Sequence, residues 1–225
     1  MSLKSDKKTI SSRIFARVNL LGNPSDIYGG FGLGFPIKNW SAEVFLDPDF
    51  SSNKEISLLR AAREVFSKIQ PIRNEFGLRH FSDIPKKVGL AGSSALVMAA
   101  LKVLGKAHSF KWTWKSLADA TLAAEREHMG IIAGPMDRWI QAKEEFIWMN
   151  FSENKTKIIP IDKLPSFRIL IQTKSNQSSG VTHAPIMERW KNGDPFVKKV
   201  IDSYRSVVEK GLASLLSGDT RHTNR

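Results

Sequence analysis

Residues 88–101 read Val-Gly-Leu-Ala-Gly-Ser-Ser-Ala-Leu-Val-Met-Ala-Ala-Leu, a glycine-rich turn that opens directly into an apolar run. The run predicts a helix over 93–104, because small and apolar residues fill every face of its first turns. Amide N–H groups at a helix start have no partner within the helix, and the positive end of the dipole adds to them. Such a turn is a ready anion site: glycine lets a phosphate reach the backbone, and serine hydroxyls bond phosphate or a metal ion. A plain Gly-Ser helix cap is written in the same residues. The turn is not a Walker loop, since no Gly-Lys-Ser/Thr closes it, and it is not the dinucleotide G-x-G-x-x-G.

Upstream, residues 13–21 (RIFARVNLL) are rich in large apolar and β-branched side chains and stop at Gly22-Asn23-Pro24-Ser25-Asp26, a turn composition. This is a strand running into a loop. Arg17 on the strand and Asp26 at the turn suit a hydroxyl-rich or anionic ligand, although alone they read as a surface cation and an Asx turn. Residues 29–45 are punctuated by glycine with partial alternation, which predicts a hairpin or meander. Over 55–70, Leu58, Leu59, Ala62, Val65, Phe66 and Ile69 recur at three- and four-residue spacing and predict an amphipathic helix that ends before Pro71.

Downstream, residues 117–128 form a second helix pattern, with Ser116 as its cap and Asp119 completing a capping box. Glu125 near the end of that helix and Asp137, twelve residues on beyond a Gly/Pro loop, can serve as a metal ligand and a general base. A solvated acidic helix end followed by an N-cap aspartate fits the same residues. His128 sits where an imidazolium meets the negative end of the dipole and is read as structural. Residues 146–151 and 167–172 are further strand candidates. Residues 196–216 carry Val200, Tyr204, Val207, Val208, Leu212 and Leu215 at helical spacing. The proline-flanked stretch 160–165 divides an α+β unit, 1–160, from a second unit, 161–225, that has little room to finish; its strand and helix are expected to lack packing partners.

Composition narrows the function classes. Ordinary apolar (41%) and charged (25%) shares exclude collagenous, low-complexity and wholly disordered chains. With no cysteine, thiolate metal sites, disulfides and a cysteine nucleophile are excluded. The +12 charge favours anionic partners, but the lysine pairs at 7–8, 86–87 and 198–199 are scattered rather than gathered in a stripe, which argues against nucleic acid. A polar amino terminus and the absence of any run of about 18 apolar residues predict a soluble, cytoplasmic chain without a membrane partner.

Three segments in this order, ARVNLLGNPSDIYGG, VGLAGSSALVMAAL and AEREHMGIIAGPMDR, resemble the GHMP kinase superfamily of galactokinase, homoserine kinase, mevalonate kinase and phosphomevalonate kinase. The wording LLGNPSD and GLAGSSA, together with Gly180-Val181-Thr182-His183, Arg189-Trp190 and Asn192-Gly193-Asp194, is most similar to glucuronokinase-type sugar kinases. The resemblance implies an α+β fold with a domain like domain 2 of ribosomal protein S5 and a partial C-terminal domain. It implies transfer of a phosphoryl group from ATP, with Mg²⁺, to a hydroxyl of a sugar or sugar acid, such as a uronate. By matched position, Gly89, Leu90, Ala91, Gly92, Ser93, Ser94 and Ala95 would wrap the ATP phosphates. Ser94 and Glu125 would hold Mg²⁺, Asp137 would be the base, Arg17 would meet developing charge, and Asn23 and Asp26 would hold the acceptor.

Three features depart from the family. Its loop more often reads G-x-G-L-G-S-S-A, so Leu90 and Ala91 change the register of small residues. Asn23-Pro24 stands where galactokinases have Glu-His, which argues against galactose, and the family's third, glycine-rich motif is not found. The alternatives are a mevalonate-type or other small-alcohol kinase, or a non-catalytic nucleotide-binding domain that depends on a homodimer or a second chain.

Overall fold

The structure, a computed structural model, describes residues 10–218 apart from 74–75, 129, 131, 165 and 167–178. Two long strands form its spine. Strand β1 (Ser11–Leu21) and strand β2 (Phe31–Asp47) pair antiparallel along nearly their whole length. The other edge of β2 is shared: its first residues pair with β4 (Ile147–Asn150) and its last with β3 (Gly77–Ser82). β5 (Lys155–Ile158) closes the sheet against β4, and every pairing is antiparallel.

The expected hairpin or meander over 29–45 is therefore one continuous strand paired back to β1. Gly32 and Gly34 within it are not turn signals. A Cβ at Gly32 would strike Met136, and one at Gly34 would strike Ile140 and the Val18 carbonyl, so both glycines exist to let a helix lie close to the strand.

Three helices pack together with the sheet. α1 (Ser57–Ile69) turns Leu59, Ala62, Val65 and Phe66 inward, as its periodicity predicts. α2 (Gly92–Ala107) is buried on nearly every side, from Ala95 through Leu104, because it lies between α1, α3 (Trp114–Glu127) and the sheet. Its alanines at 95, 99 and 100 keep the side chains short enough for neighbours on all sides to approach. The cap of α3 differs from expectation. Thr113, not Ser116, is the N-cap, and Ser116 completes the capping box at N3, while Asp119 pairs instead with Lys115.

A short helix, α4 (Met136–Lys143), follows the Gly/Pro loop and anchors a satellite cluster in which Trp139 lies against Trp114 and Phe151. The strand expected over 167–172 lies outside the described residues. After α5 (Ser179–Lys191), helix α6 (Pro195–Ser217) is capped by Asp194, which accepts from the amides of Phe196 and Val197. α6 does have a partner. Val208 and Leu215 join the main core, Arg205 stacks on Phe31, and Gly211 meets Leu21 so closely that a Cβ there would overlap it. Its other face leaves Val207 and Phe196 exposed, and no helix among the described residues is long and apolar enough to cross a membrane.

The sidedness of α6 can be checked at adjacent positions. Val208 is fully buried and Val207 is 49% exposed. Val208→Asp is expected to lower unfolding stability by about 3 kcal/mol or more through burial of an unpaired charge. Val207→Asp should stay within about 0.5 kcal/mol. Urea unfolding followed by tryptophan fluorescence measures both.

Candidate active site

The glycine-rich turn, β1 and the start of α4 meet at one place. Ala91 caps α2 with a left-handed backbone (φ 58°), and Gly89 has φ 76° with open space where a side chain would stand. The turn thus presents bare backbone in front of the first amides of a 16-residue helix, the arrangement an anion needs. Gln141 of α4 ties the assembly together by donating both to the Ala91 carbonyl of the turn (3.1 Å) and to the Phe15 carbonyl of β1 (3.0 Å).

Arg17 joins the turn to α4. Its Nη1 donates to the Gly89 carbonyl at 2.7 Å, and its Nη2 forms an ion pair with Asp137 Oδ2. Asn19, two residues along β1 and so on the same side of the strand, donates from Nδ2 to Asp137 Oδ1 at 2.9 Å. Burial would raise the Asp137 pKa, but Arg17, Arg138 and the hydrogen bonds from Arg17 and Asn19 outweigh it and hold the carboxyl below its usual range. Asp137 lies in the first turn of α4 rather than at its N-cap, which is Pro135.

Glu125 is 1% exposed, not a solvated helix end. Its Oε1 accepts from the Ser94 hydroxyl at 2.8 Å, and its Oε2 is clasped by Nε (2.6 Å) and Nη2 of Arg138. Arg138 also donates to the Gly134 carbonyl (2.9 Å) and lies 3.5 Å from Asp137. Ser94 Oγ and Glu125 Oε1, joined by that hydrogen bond, are oxygen donors of the kind Mg²⁺ takes. A site with one protein carboxylate whose remaining ligands are phosphate and water is the usual Mg²⁺ arrangement. Among the described residues no cluster of three acidic or imidazole groups offers a metal a site of its own. The donor set therefore fits a cation held jointly with a phosphate.

The two residues read as acceptor ligands part company. Asn23 lines an open cleft of about 400 Å³ between the end of β1 and α6. Asp26 turns inward, where Oδ2 accepts from the Met136 amide at 3.1 Å and presses against Gly134, which no larger residue could replace without striking it. Burial, and then the nearby Asp137 charge, push the Asp26 carboxyl up. The structure brings Arg17, Ser94, Glu125 and Asp137 together around the turn. It adds Asn19, Arg138 and Gln141, which the sequence reading passed over. Arg138 directly follows Asp137 and Asn19 lies two positions from Arg17, and adjacency to a charged site residue was the only signal either carried.

Residues 57–142 match the GHMP kinases N terminal domain. Over 93% of its length the chain is 31% identical to Glucuronokinase 1 of Arabidopsis thaliana, covering 70% of that protein. It is 30% identical to Probable glucuronokinase 2 of the same plant, again over 70% of that sequence. Among solved structures, Lactococcus lactis galactokinase complexed with galactose superimposes with a TM-score of 0.72 at 15% identity, over 95% of this chain and 71% of that one.

The Asp26 environment gives a signed expectation. A carboxyl whose pKa is raised in the folded state favours folding while protonated and loses that contribution as pH rises through the folded value. Asp26→Asn, neutral at every pH and still able to accept from Met136, should match the native chain's stability near pH 4 and exceed it at pH 8. Thermal unfolding at the two pH values checks this; equal differences at both would show that Asp26 is not held high.

Proposed function

We propose, from the premise that this chain belongs to the GHMP kinases and is a phosphotransferase, that it moves the γ-phosphoryl group of ATP onto a hydroxyl of a sugar or sugar acid. The observation that carries the reading is Arg17, which touches both the glycine-rich turn and Asp137. One side chain thereby links the place suited to phosphate with the place suited to a hydroxyl proton. The Arabidopsis relatives named as glucuronokinases make a uronic acid the acceptor of choice, and the +12 charge is compatible with two anionic substrates.

The roles follow from the geometry. Amides of the turn and of the first turn of α2 take the phosphates, and Ser94 with Glu125 would hold Mg²⁺. When bound, that ion neutralises charge on the phosphate oxygens. Arg138 keeps Glu125 aligned by occupying its second oxygen. The acceptor oxygen attacks the γ-phosphorus while the bond from that phosphorus to the bridging oxygen breaks, and ADP leaves with those electrons. The hydroxyl proton passes to Asp137. A carboxyl held below its usual range is a weak base, but the phosphoryl transition state is loose and the proton moves late, so a weak base in the right place suffices. Arg17 faces the charge that spreads over the transferring group.

The test is ADP release from Mg·ATP with D-glucuronate. Asp137→Asn is expected to lower kcat by about 10²–10⁴-fold, the range of a lost general base, and to leave the calorimetric ATP dissociation constant unchanged. Turnover unaltered in that variant refutes the assignment.

A further inference from the structure

The backbone of the glycine-rich turn is held from outside at three successive carbonyls. Gly89 O accepts from Arg17 Nη1 at 2.7 Å, Leu90 O from the Arg17 amide at 3.4 Å, and Ala91 O from Gln141 Nε2 at 3.1 Å. These peptides are trans, and a trans peptide sets its carbonyl and the next N–H on opposite sides. Tying the three oxygens toward β1 and α4 therefore turns the amides of Leu90, Ala91 and Gly92 the other way. Those amides donate to no acceptor among the described residues. Arg17 serves the first two carbonyls. Beyond the Ala95 amide of its own helix, the third has Gln141.

Ala91 is the turn residue that most needs holding. Its φ of 58° lies in the left-handed region, which glycine enters freely and a residue with a Cβ enters only at a cost. Gln141 is buried and has both amide N–H groups engaged, one on Ala91 O and the other on Phe15 O at 3.0 Å, beside the register shift in the β1–β2 ladder. Both neighbours are carbonyl oxygens that only accept, so the Gln141 amide has one workable orientation. Its Oε1 is then left buried, with no partner among the described residues. A buried amide oxygen without a donor is destabilising, and an apolar side chain of the same size would avoid it. What such a side chain could not supply is the pair of donors.

We infer that Gln141 is a positioning residue for the phosphate turn. Its bond to Ala91 O holds the left-handed backbone that aims the Gly92 amide, with those of Leu90 and Ala91, at the phosphates. Its bond to Phe15 O sets the distance of the turn from the strand that carries Arg17. The inference rests on the kinase reading above and extends it to a side chain that touches neither substrate. Asp137 and Gln141 are four residues apart in α4 and so share one face of that helix. The element that carries the base thereby also fixes the amides that hold the phosphates, and misplacement between the two is what costs phosphoryl transfer most.

The experiment titrates AMPPNP with Mg²⁺ calorimetrically into the full chain, with unfolding measured alongside. Gln141→Met keeps the volume and removes both donors, and is expected to weaken AMPPNP binding roughly tenfold or more, the loss of two hydrogen bonds. Should that variant not fold, Gln141→Asn, one methylene too short to reach both carbonyls, carries the same expectation. Ala91→Gly supplies a reading that a merely structural role would not move. Glycine takes the left-handed backbone without help, so Ala91→Gly should improve AMPPNP affinity at least threefold more in the Gln141 variant than in the native chain. A folded Gln141 variant that binds AMPPNP as the native chain does overturns the inference, and so does an Ala91→Gly effect equal in the two backgrounds. If the native chain binds AMPPNP but moves no phosphate from Mg·ATP, the kinase reading fails and the same affinities still decide the role of Gln141. A native chain that binds no AMPPNP overturns both.

Discussion

The ion pair between Arg17 and Asp137 is the constraint on which the centre of this molecule depends. A carboxylate withdrawn from water stays ionised only if cations and donors replace the lost hydration. Here they come from three residues on two elements: Arg17 and Asn19 on β1, and Arg138, the residue after Asp137, in α4. Satisfying Asp137 therefore fixes α4 against β1. Because Arg17 also bonds the Gly89 carbonyl, the same contact sets the glycine-rich turn. Fold and site are held by one set of bonds, and the charges that would be most costly to bury singly are buried together.

The neighbouring carboxyls show how place decides behaviour. Glu125 is clasped by Arg138 and Ser94, whereas Asp26 is buried against backbone amides and a nearby negative charge. One group is matched by a guanidinium; the other is pushed toward its neutral form. Gly134 is part of the same arrangement, since the backbone before α4 can lie against Asp26 only where there is no Cβ.

Helices α1 and α6 were legible because burial on one face writes a period into the sequence, and 57–69 and 195–217 fall within two residues of their expected limits, whereas α5 was not expected. β2 was not. Its glycines at 32 and 34 look like breaks, yet they answer to Met136 and Ile140, residues a hundred positions away, and no local pattern carries that information. The cap of α3 failed for a smaller reason: Thr113 and Ser116 both offer a hydroxyl, and only the backbone conformation chooses between them. At the site, Arg17, Ser94, Glu125 and Asp137 could be named through wording shared with a family. Arg138 and Asn19 could not, because each matters through what it touches in three dimensions.

On the proposed reading, the hold on Asp137 also shapes the chemistry. Both of its oxygens already accept hydrogen bonds or an ion pair, which makes it a poor base in the ground state and a precise one in space. A reaction that needed early proton removal would be served badly by such a group. Phosphoryl transfer does not need it, since bond breaking to the leaving group runs ahead of nucleophilic attack and the acceptor proton becomes acidic only late. What the reaction does need is the acceptor oxygen, the γ-phosphorus and the bridging oxygen in line, and a rigid carboxylate between two strand residues sets that line better than a freer, stronger base could.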